Sequence, residues 1–303
     1  MNLNADDTQV YGVSSPSSVD QLQMRMSASI DDIANWTSSN RLQLNTDKTE
    51  FLCCTAARRQ SQLPASPFRE CNDRVMPSTV VRDLNIYLDS DVSMRSQVTR
   101  TVSHCFGLLR QLRSIRRSLS HSVFQSLIAA LVLTKLDFRN ATLAVAGIPS
   151  FQQDHLQAVM NAVARLVFQC SRHDHITPLL YRLHCFRAPE RIAYKLAVLL
   201  YQCVHGLAPA YLADALQPIA GLPGRQRLRS SSTSALAVPL TRLSTIGDRA
   251  FPITVARTRH RAYPRRDGQA KLPSEVTSSQ CLRFCKLWLR PICLPPLFHR
   301  RLK

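Results

Sequence analysis

Asn4-Ala5-Asp6-Asp7-Thr8-Gln9-Val10-Tyr11-Gly12 sets two adjacent carboxylates between a short apolar start, Met1 and Leu3, and a β-type run of Val10, Tyr11 and Val13. The pattern predicts a tight hairpin with both acids at its tip. Hard cations take oxygen ligands, so a carboxylate pair at a turn is the kind of group that holds Mg²⁺ for phosphoryl transfer. An Asp-Asp pair is also ordinary solvated turn chemistry, because Asp bonds its own backbone in turns. The residues that follow decide between the two.

Ser18-Val19-Asp20-Gln21 has the form of a capping box, Ser18 as cap and Gln21 reaching back. Val19, Leu22, Met26, Ile30, Ile33 and Trp36 then recur at three- and four-residue intervals, one apolar helix face expected to pack under the sheet that carries the hairpin. Residues 42–44 and 50–55 read as strands around the turn-forming Asn45-Thr46-Asp47. Residues 56–78, with Pro64, Pro67 and Pro77, read as loop, and 80–88 as a further strand. Strand, helix and strands with one antiparallel hairpin argue an α+β fold.

From Ser93 the period becomes helical. Val98, Val102, Cys105, Leu109 and Leu112 make one face, with Arg100, Arg110 and Arg117 off it. Ser120 is placed to cap a second helix, through Val123, Phe124, Leu127, Ile128, Leu131 and Val132, that is apolar on most sides and so central. Leu156, Val159, Met160, Val163, Leu166 and Val167 give a third. Pro189 and Gly206 bound a fourth. Beyond Gly221, Arg225, Arg227 and Arg229 alternate ahead of a Ser/Thr run. Arg257 to Lys303 holds twelve Lys/Arg against Asp267 and Glu275, interrupted by prolines, so parts of this tail are expected to be extended. The organisation predicted is 1–92, 93–220 and 221–303.

The 303 residues are 45% hydrophobic, enough for a sizeable core, and carry a formal charge of +19, which points to a polyanion partner, nucleic acid first. Residues 1–50 carry −4, with seven acids against three bases, and the remainder carries +23. That asymmetry suits a metal site followed by a nucleic-acid surface. Residues 1–10 lack the basic and apolar regions of a signal peptide, so the ten cysteines are expected reduced and the protein intracellular, nuclear or cytoplasmic. No run of about 18 apolar residues occurs, so no membrane span is expected.

The stretch Ala5-Asp6-Asp7-Thr8-Gln9-Val10-Tyr11 resembles the catalytic hairpin of reverse transcriptases from non-LTR retrotransposons, the jockey and chicken-repeat type of LINE. Arg41-Leu42-Gln43-Leu44-Asn45-Thr46-Asp47-Lys48-Thr49-Glu50 looks like the next block of that palm, and Val81-Arg82-Asp83-Leu84-Asn85-Ile86 like the one after. His175-Ile176-Thr177-Pro178-Leu179-Leu180, Arg191-Ile192 and Gly206-Leu207-Ala208-Pro209-Ala210-Tyr211-Leu212 are similar to the helical region that follows, and Gly247-Asp248-Arg249-Ala250-Phe251 and Leu272-Pro273-Ser274-Glu275-Val276 to its far end. The blocks stand in the family's order and cover nearly the whole chain.

The resemblance implies a partial reverse-transcriptase palm (hairpin, helix, antiparallel strands), then an all-α thumb-like region and a basic, partly irregular tail. It implies Asp6 and Asp7 as Mg²⁺ ligands and Lys48 as the lysine near the leaving pyrophosphate. Arg95, Arg100, Arg110, Arg113, Arg116 and Arg117 would lie against an RNA template and DNA primer, contacting phosphates. Asn4 replaces an aromatic residue of the family's hairpin, and Asn85 stands where the family usually has Gly, a change Asn tolerates because it reaches φ > 0. Two metal ions need a third carboxylate on an earlier strand, and the family's fingers precede the hairpin. Both are expected to be missing here, and with them polymerase activity. The alternatives are a non-catalytic basic helical module that binds nucleic acid, and a decayed transposon reading frame with no role.

Other chemistries fit the sequence poorly. His173-Asp174-His175 spaces two imidazoles at i, i+2 where the segment enters a helix, and Zn²⁺ needs three or four convergent ligands. Cys281, Cys285, Cys293 and His299 match no standard finger spacing. Neither a Walker loop nor a G-x-G-x-x-G stretch occurs.

Overall fold

The computed structural model describes residues 2–4, 7–42, 44–45, 48–63, 66–70, 73–138, 142–143, 147–183, 185–219, 236–241, 248 and 250–262. The fold mixes helices with small sheets, α+β in class, and the described strands form four two-stranded ladders. Two compact units divide it: residues 1–104 with 146–152, and 105–145 with 153–303. None of the described helices is long and apolar enough to cross a membrane.

In the first unit, β1 (Asn2–Asn4) and β2 (Asp7–Gln9) pair antiparallel, Asn4 opposite Asp7 and Leu3 opposite Thr8. The chain then enters α1 (Val19–Ser39) through a 3₁₀ turn at Pro16–Ser18. The expected capping box does not form. The Ser18 hydroxyl lies 2.8 Å from that of Ser15 and donates to the Ser15 carbonyl at 3.3 Å, away from the helix N–H groups. The apolar stripe of α1 is covered only in part: Met24 and Trp36 are well exposed and none of its described side chains is fully buried. The helix meets the backbone after the hairpin at Gly12, where a Cβ would come within 2.5 Å of Leu22 Cδ1. Further along it meets β4 (Phe68–Glu70). Arg69 donates to Asp31 at 2.9 Å, and the Ser27 hydroxyl donates to the Arg69 carbonyl at 3.0 Å.

The structure differs from the sequence reading over 42–88. Of 50–55 only β3 (Phe51–Leu52) is strand, paired parallel with β6 (Pro77–Ser78), and Leu42 and Leu44 are not in a strand. The stretch read as loop holds a 3₁₀ segment, Ala57–Gln62, and a second hairpin, β4 with β5 (Asp73–Val75). Phe68 is buried there, its ring stacked on Phe51 at 4.5 Å. The strand read over 80–88 is a hairpin, β7 (Val80–Asp83) with β8 (Ile86–Asp89). Its two-residue loop is Leu84-Asn85, with φ of 42° and 65°. Positive φ at both central positions matches the right-handed twist of the flanking strands.

α2 (Arg95–Ile115) starts in the first unit and continues into the second. Its N-terminus is held from β8: the buried Asp89 carboxylate accepts the Ser96 N–H at 3.2 Å and the Ser93 hydroxyl at 3.3 Å. Val98, Cys105, Leu109 and Leu112 are buried, as their spacing predicts.

In the second unit, Ser120 caps α3 (His121–Ile128), its hydroxyl accepting the Val123 N–H at 3.4 Å. A π-helical stretch, Ala129–Leu133, carries the rod into α4 (Thr134–Asp137). Phe124, Ile128, Val132 and Leu136 face the core while Val123 and Leu131 remain exposed, so this rod is one-sided and not central. α5 (Ser150–Phe168) buries Leu156, Val159, Met160, Val163 and Val167. α6 (Ile176–Arg182) and α7 (Ala188–Val204) follow. Glu190 starts α7 by accepting the Arg187 N–H at 2.9 Å. α8 (Ala210–Ala213) is one turn long. α9 (Phe251–Ala262) lays Val255 and Ala256 on Leu196 and Leu200 of α7, with Leu236 beside them. Residues 225–234 and 263–303, where the serine run and most of the basic tail fall, lie outside the described residues.

Two predictions arise here. Gly206 ends α7 with φ of 68° and open space around its missing Cβ. Gly206→Ala is expected to cost about 1–2 kcal/mol through backbone strain alone, read as a shifted urea midpoint at unchanged m. Cys105 is fully buried, its thiol reaching toward the Val132 carbonyl, and burial pushes it up to about 11 against the opposing pull of Lys135. Unfolded, the thiol titrates near 9.0. Between those values the folded state binds more protons, so stability falls as pH rises through that window, by at most about 1.4 kcal/mol per pH unit from this group. Urea melts at pH 8 to 11 should show a steeper loss for the parent than for Cys105→Ala. Parallel curves would remove the assignment.

Candidate nucleic-acid interface

The first unit brings two sequence blocks together. Gln9, the last residue of β2, donates from Nε2 to Asp83 Oδ1 of β7 at 2.5 Å, across 74 positions of chain. The β1–β2 hairpin and the β7–β8 hairpin are therefore tied to each other. Asp6 lies outside the described residues. Asp7 opens β2 opposite Asn4. Lys48 is exposed, its N–H on the Asn45 carbonyl at 3.1 Å, while Thr46 and Asp47 lie outside the described residues.

Arg82 and Tyr87 face each other across the β7–β8 ladder. The Arg82 guanidinium carbon is 5.9 Å from the Tyr87 ring centroid, and that of Arg100, reaching in from α2, is 4.3 Å from it. Two cations sharing one ring stand at most about 10 Å apart, close enough for one phosphate or two successive ones to bridge them. The register is fixed from both sides. The Tyr87 N–H donates to the buried Gln97 Oε1 at 3.0 Å, and Arg82 also donates to the Asn85 side chain. The Glu50 carboxylate lies near, accepting the Arg82 backbone N–H at 3.4 Å. Arg82 and Tyr87 are missing from the residues chosen by sequence. Their signal was the two-residue turn at Leu84-Asn85, which makes them cross-strand partners.

The six arginines expected against the duplex separate into groups, Arg95, Arg100, Arg110 and Arg113 on α2 and Arg116 and Arg117 in the 3₁₀ turn Arg116–Ser118 just after it. At about 100° per residue, Arg95, Arg110 and Arg113 fall within a sector about 60° wide, and Arg100 sits well round from it. Arg110, Arg113 and Arg117 are exposed and form no ion pair among the described residues. Arg95 shares its field with Asp91. Burial works to raise the Asp91 carboxyl, but hydrogen bonds from Ser93 and the Arg95 charge hold it below its ordinary value. Arg116 is turned inward, with its guanidinium 4.6 Å over the Phe124 ring and a buried Nε. Arg116 is half-buried and packs on Phe124, which makes it the least open of the six.

Among the described residues no three His, Cys, Asp or Glu side chains gather as a metal would require. In His173-Asp174-His175 the Asp174 carboxylate accepts the Ser171 N–H at 2.6 Å. Cys281, Cys285, Cys293 and His299 lie outside the described residues. Compared with protein-family models, with curated proteins and with solved structures, the chain finds no match.

Proposed function

We propose that this chain is the C-terminal palm, the thumb and the following helical region of a LINE-type reverse transcriptase, and that as it stands it grips a primer–template duplex without extending it. One observation carries the reading. The Gln9–Asp83 bond ties the β1–β2 hairpin to the hairpin that presents Arg82, Asn85 and Tyr87, two blocks that the resemblance assigns to one polymerase palm. The exposed Arg110, Arg113 and Arg117 supply the duplex contact, because arginine forks match phosphate geometry and need no sequence reading.

In such a centre Asp6 and Asp7 would hold Mg²⁺, which supplies charge neutralisation at the transferring phosphoryl group. One hairpin pair is too small a ligand set for two ions. The nearby acids Asp20, Asp31 and Asp32 belong to α1, and Asp31 is already engaged by Arg69. The chain therefore holds a duplex and lacks the means to polymerise.

Two assays on the purified full chain test this. Primer extension with Mg²⁺ should give no product, and a primer–template duplex should bind with steep salt dependence. Synthesis that disappears in Asp6→Ala would overturn the non-catalytic part. Absence of duplex binding at low salt would overturn the whole. The second reading, a basic helical module with no polymerase ancestry, is favoured by the unpaired arginines of α2 alone, and it requires Asp6→Ala and Arg82→Gln to leave duplex affinity untouched.

A further inference from the structure

The second unit carries another unpaired basic corner, away from α2 in sequence. α5 ends at Phe168, Gln169 turns the chain with φ of 56°, and the Cys170 N–H closes the end on the Arg165 carbonyl at 3.1 Å. Ser171, Arg172, His173, Asp174 and His175 then run exposed. Their one carboxylate is occupied by the Ser171 N–H, and Arg172 Nε donates to His173 Nε2 at 3.3 Å. At the end of α6 the Arg182 guanidinium lies 4.5 Å over the Phe168 ring. That ring fixes the cation in place without neutralising it. Arg187 reaches back, Nη2 to Thr177 Oγ1, at 3.5 Å. Among the described residues the guanidiniums of Arg172, Arg182 and Arg187 form no ion pair, and the Glu190 carboxylate accepts only the Arg187 backbone N–H, at 2.9 Å. Tyr181, beside Arg182, is 71% exposed.

Three held or tethered guanidiniums, more than the two neighbouring carboxylates of Asp174 and Glu190, on a protein of charge +19, call for a polyanion. The exposed ring selects which kind. A duplex offers phosphates but keeps its base faces stacked inside. A single strand offers phosphates and open base faces together, and base–aromatic stacking is worth about 1–3 kcal/mol per base. We propose that the corner formed by Arg172, Tyr181, Arg182 and Arg187 is a binding site for single-stranded nucleic acid, with phosphates on the guanidiniums and a base on Tyr181. It stands apart from the duplex grip of α2 and does not depend on the polymerase reading.

The test measures fluorescence anisotropy of the full chain with a labelled oligo-U strand and with a blunt duplex of equal length. In Arg172→Gln/Arg182→Gln, and separately in Tyr181→Ala, oligo-U affinity should fall at least tenfold while duplex affinity stays within threefold. Tyr181→Phe should keep oligo-U affinity within twofold, since the ring remains. The salt slope for oligo-U should flatten by about 0.7 for each arginine removed. All three side chains are exposed, and melting curves of the variants serve as the folding control. The proposal fails if the parent does not bind oligo-U. It also fails if either variant leaves oligo-U affinity within twofold of the parent, or if both probes lose affinity in step. Retained oligo-U binding with no duplex binding would support this corner while removing the α2 duplex grip.

Discussion

Asp137→Ala is expected to destabilise the second unit by about 3–5 kcal/mol, the cost of breaking a largely buried ion pair from one side. Arg191 of α7 grips Asp137 of α4 with both arms: Nε lies 2.9 Å from Oδ1, and Nη2 bonds Oδ2. Both side chains are only 12% exposed. Leu136, Leu156, Met160, Ala188 and Ile192 line the apolar space beside Arg191. Without the carboxylate the guanidinium keeps its charge, because arginine does not deprotonate at any accessible pH. For a unit of this size the loss is a fall of roughly 10 °C in Tm. The double change Asp137→Leu with Arg191→Met removes both charges and should recover most of it, since buried pairs are often no better than well-packed apolar residues. Calorimetry of the parent, the single and the double variant checks the pattern. A single variant melting within two degrees of the parent would mean the pair is solvated and not structural.

The second large effect is on binding. Arg110→Gln, Arg113→Gln and Arg117→Gln combined should flatten the salt dependence of duplex binding by about 2.7, near 0.9 for each phosphate that is no longer neutralised. The weakening should be the same for any duplex sequence, because phosphate contacts position and do not read bases. Arg116→Gln is the internal control. Its guanidinium lies on Phe124 in the core, so it should shift the melting temperature and leave the salt slope alone. A slope that drops for Arg116→Gln and not for the triple variant would reverse the assignment of the two faces.

Much of the fold is legible from local rules. The antiparallel pairing of Asn2–Asn4 with Asp7–Gln9, the buried stripe of α2, the cap at Ser120 and the stop at Gly206 each depend on residues a few positions apart. What is not legible has a partner elsewhere or a turn that only one of its two central residues signals. Leu84 holds φ of 42° though leucine has no preference for it, so the sequence reads as one strand where there are two. Ser18 matches a cap in sequence, but Ser15 takes its hydroxyl. Trp36 sits on the apolar stripe of α1 and yet stays 62% exposed, because periodicity names a face and not what covers it. α9 lies inside a stretch that reads as irregular, since its apolar side has a purpose only against Leu196 and Leu200.

For the candidate interface the division is similar. The sequence alone determined the excess of positive charge, the order of the blocks and the helical spacing that puts Arg110 and Arg113 on one side of α2. Tertiary structure alone decided that Arg116 turns into the core, that Arg82 and Arg100 meet over Tyr87, and that Asp137 waits 54 residues upstream of Arg191 to receive it. Charge and period are properties of a segment by itself. Which cations stay open to a polyanion depends on which rings and carboxylates distant segments bring against them, and only packing settles that.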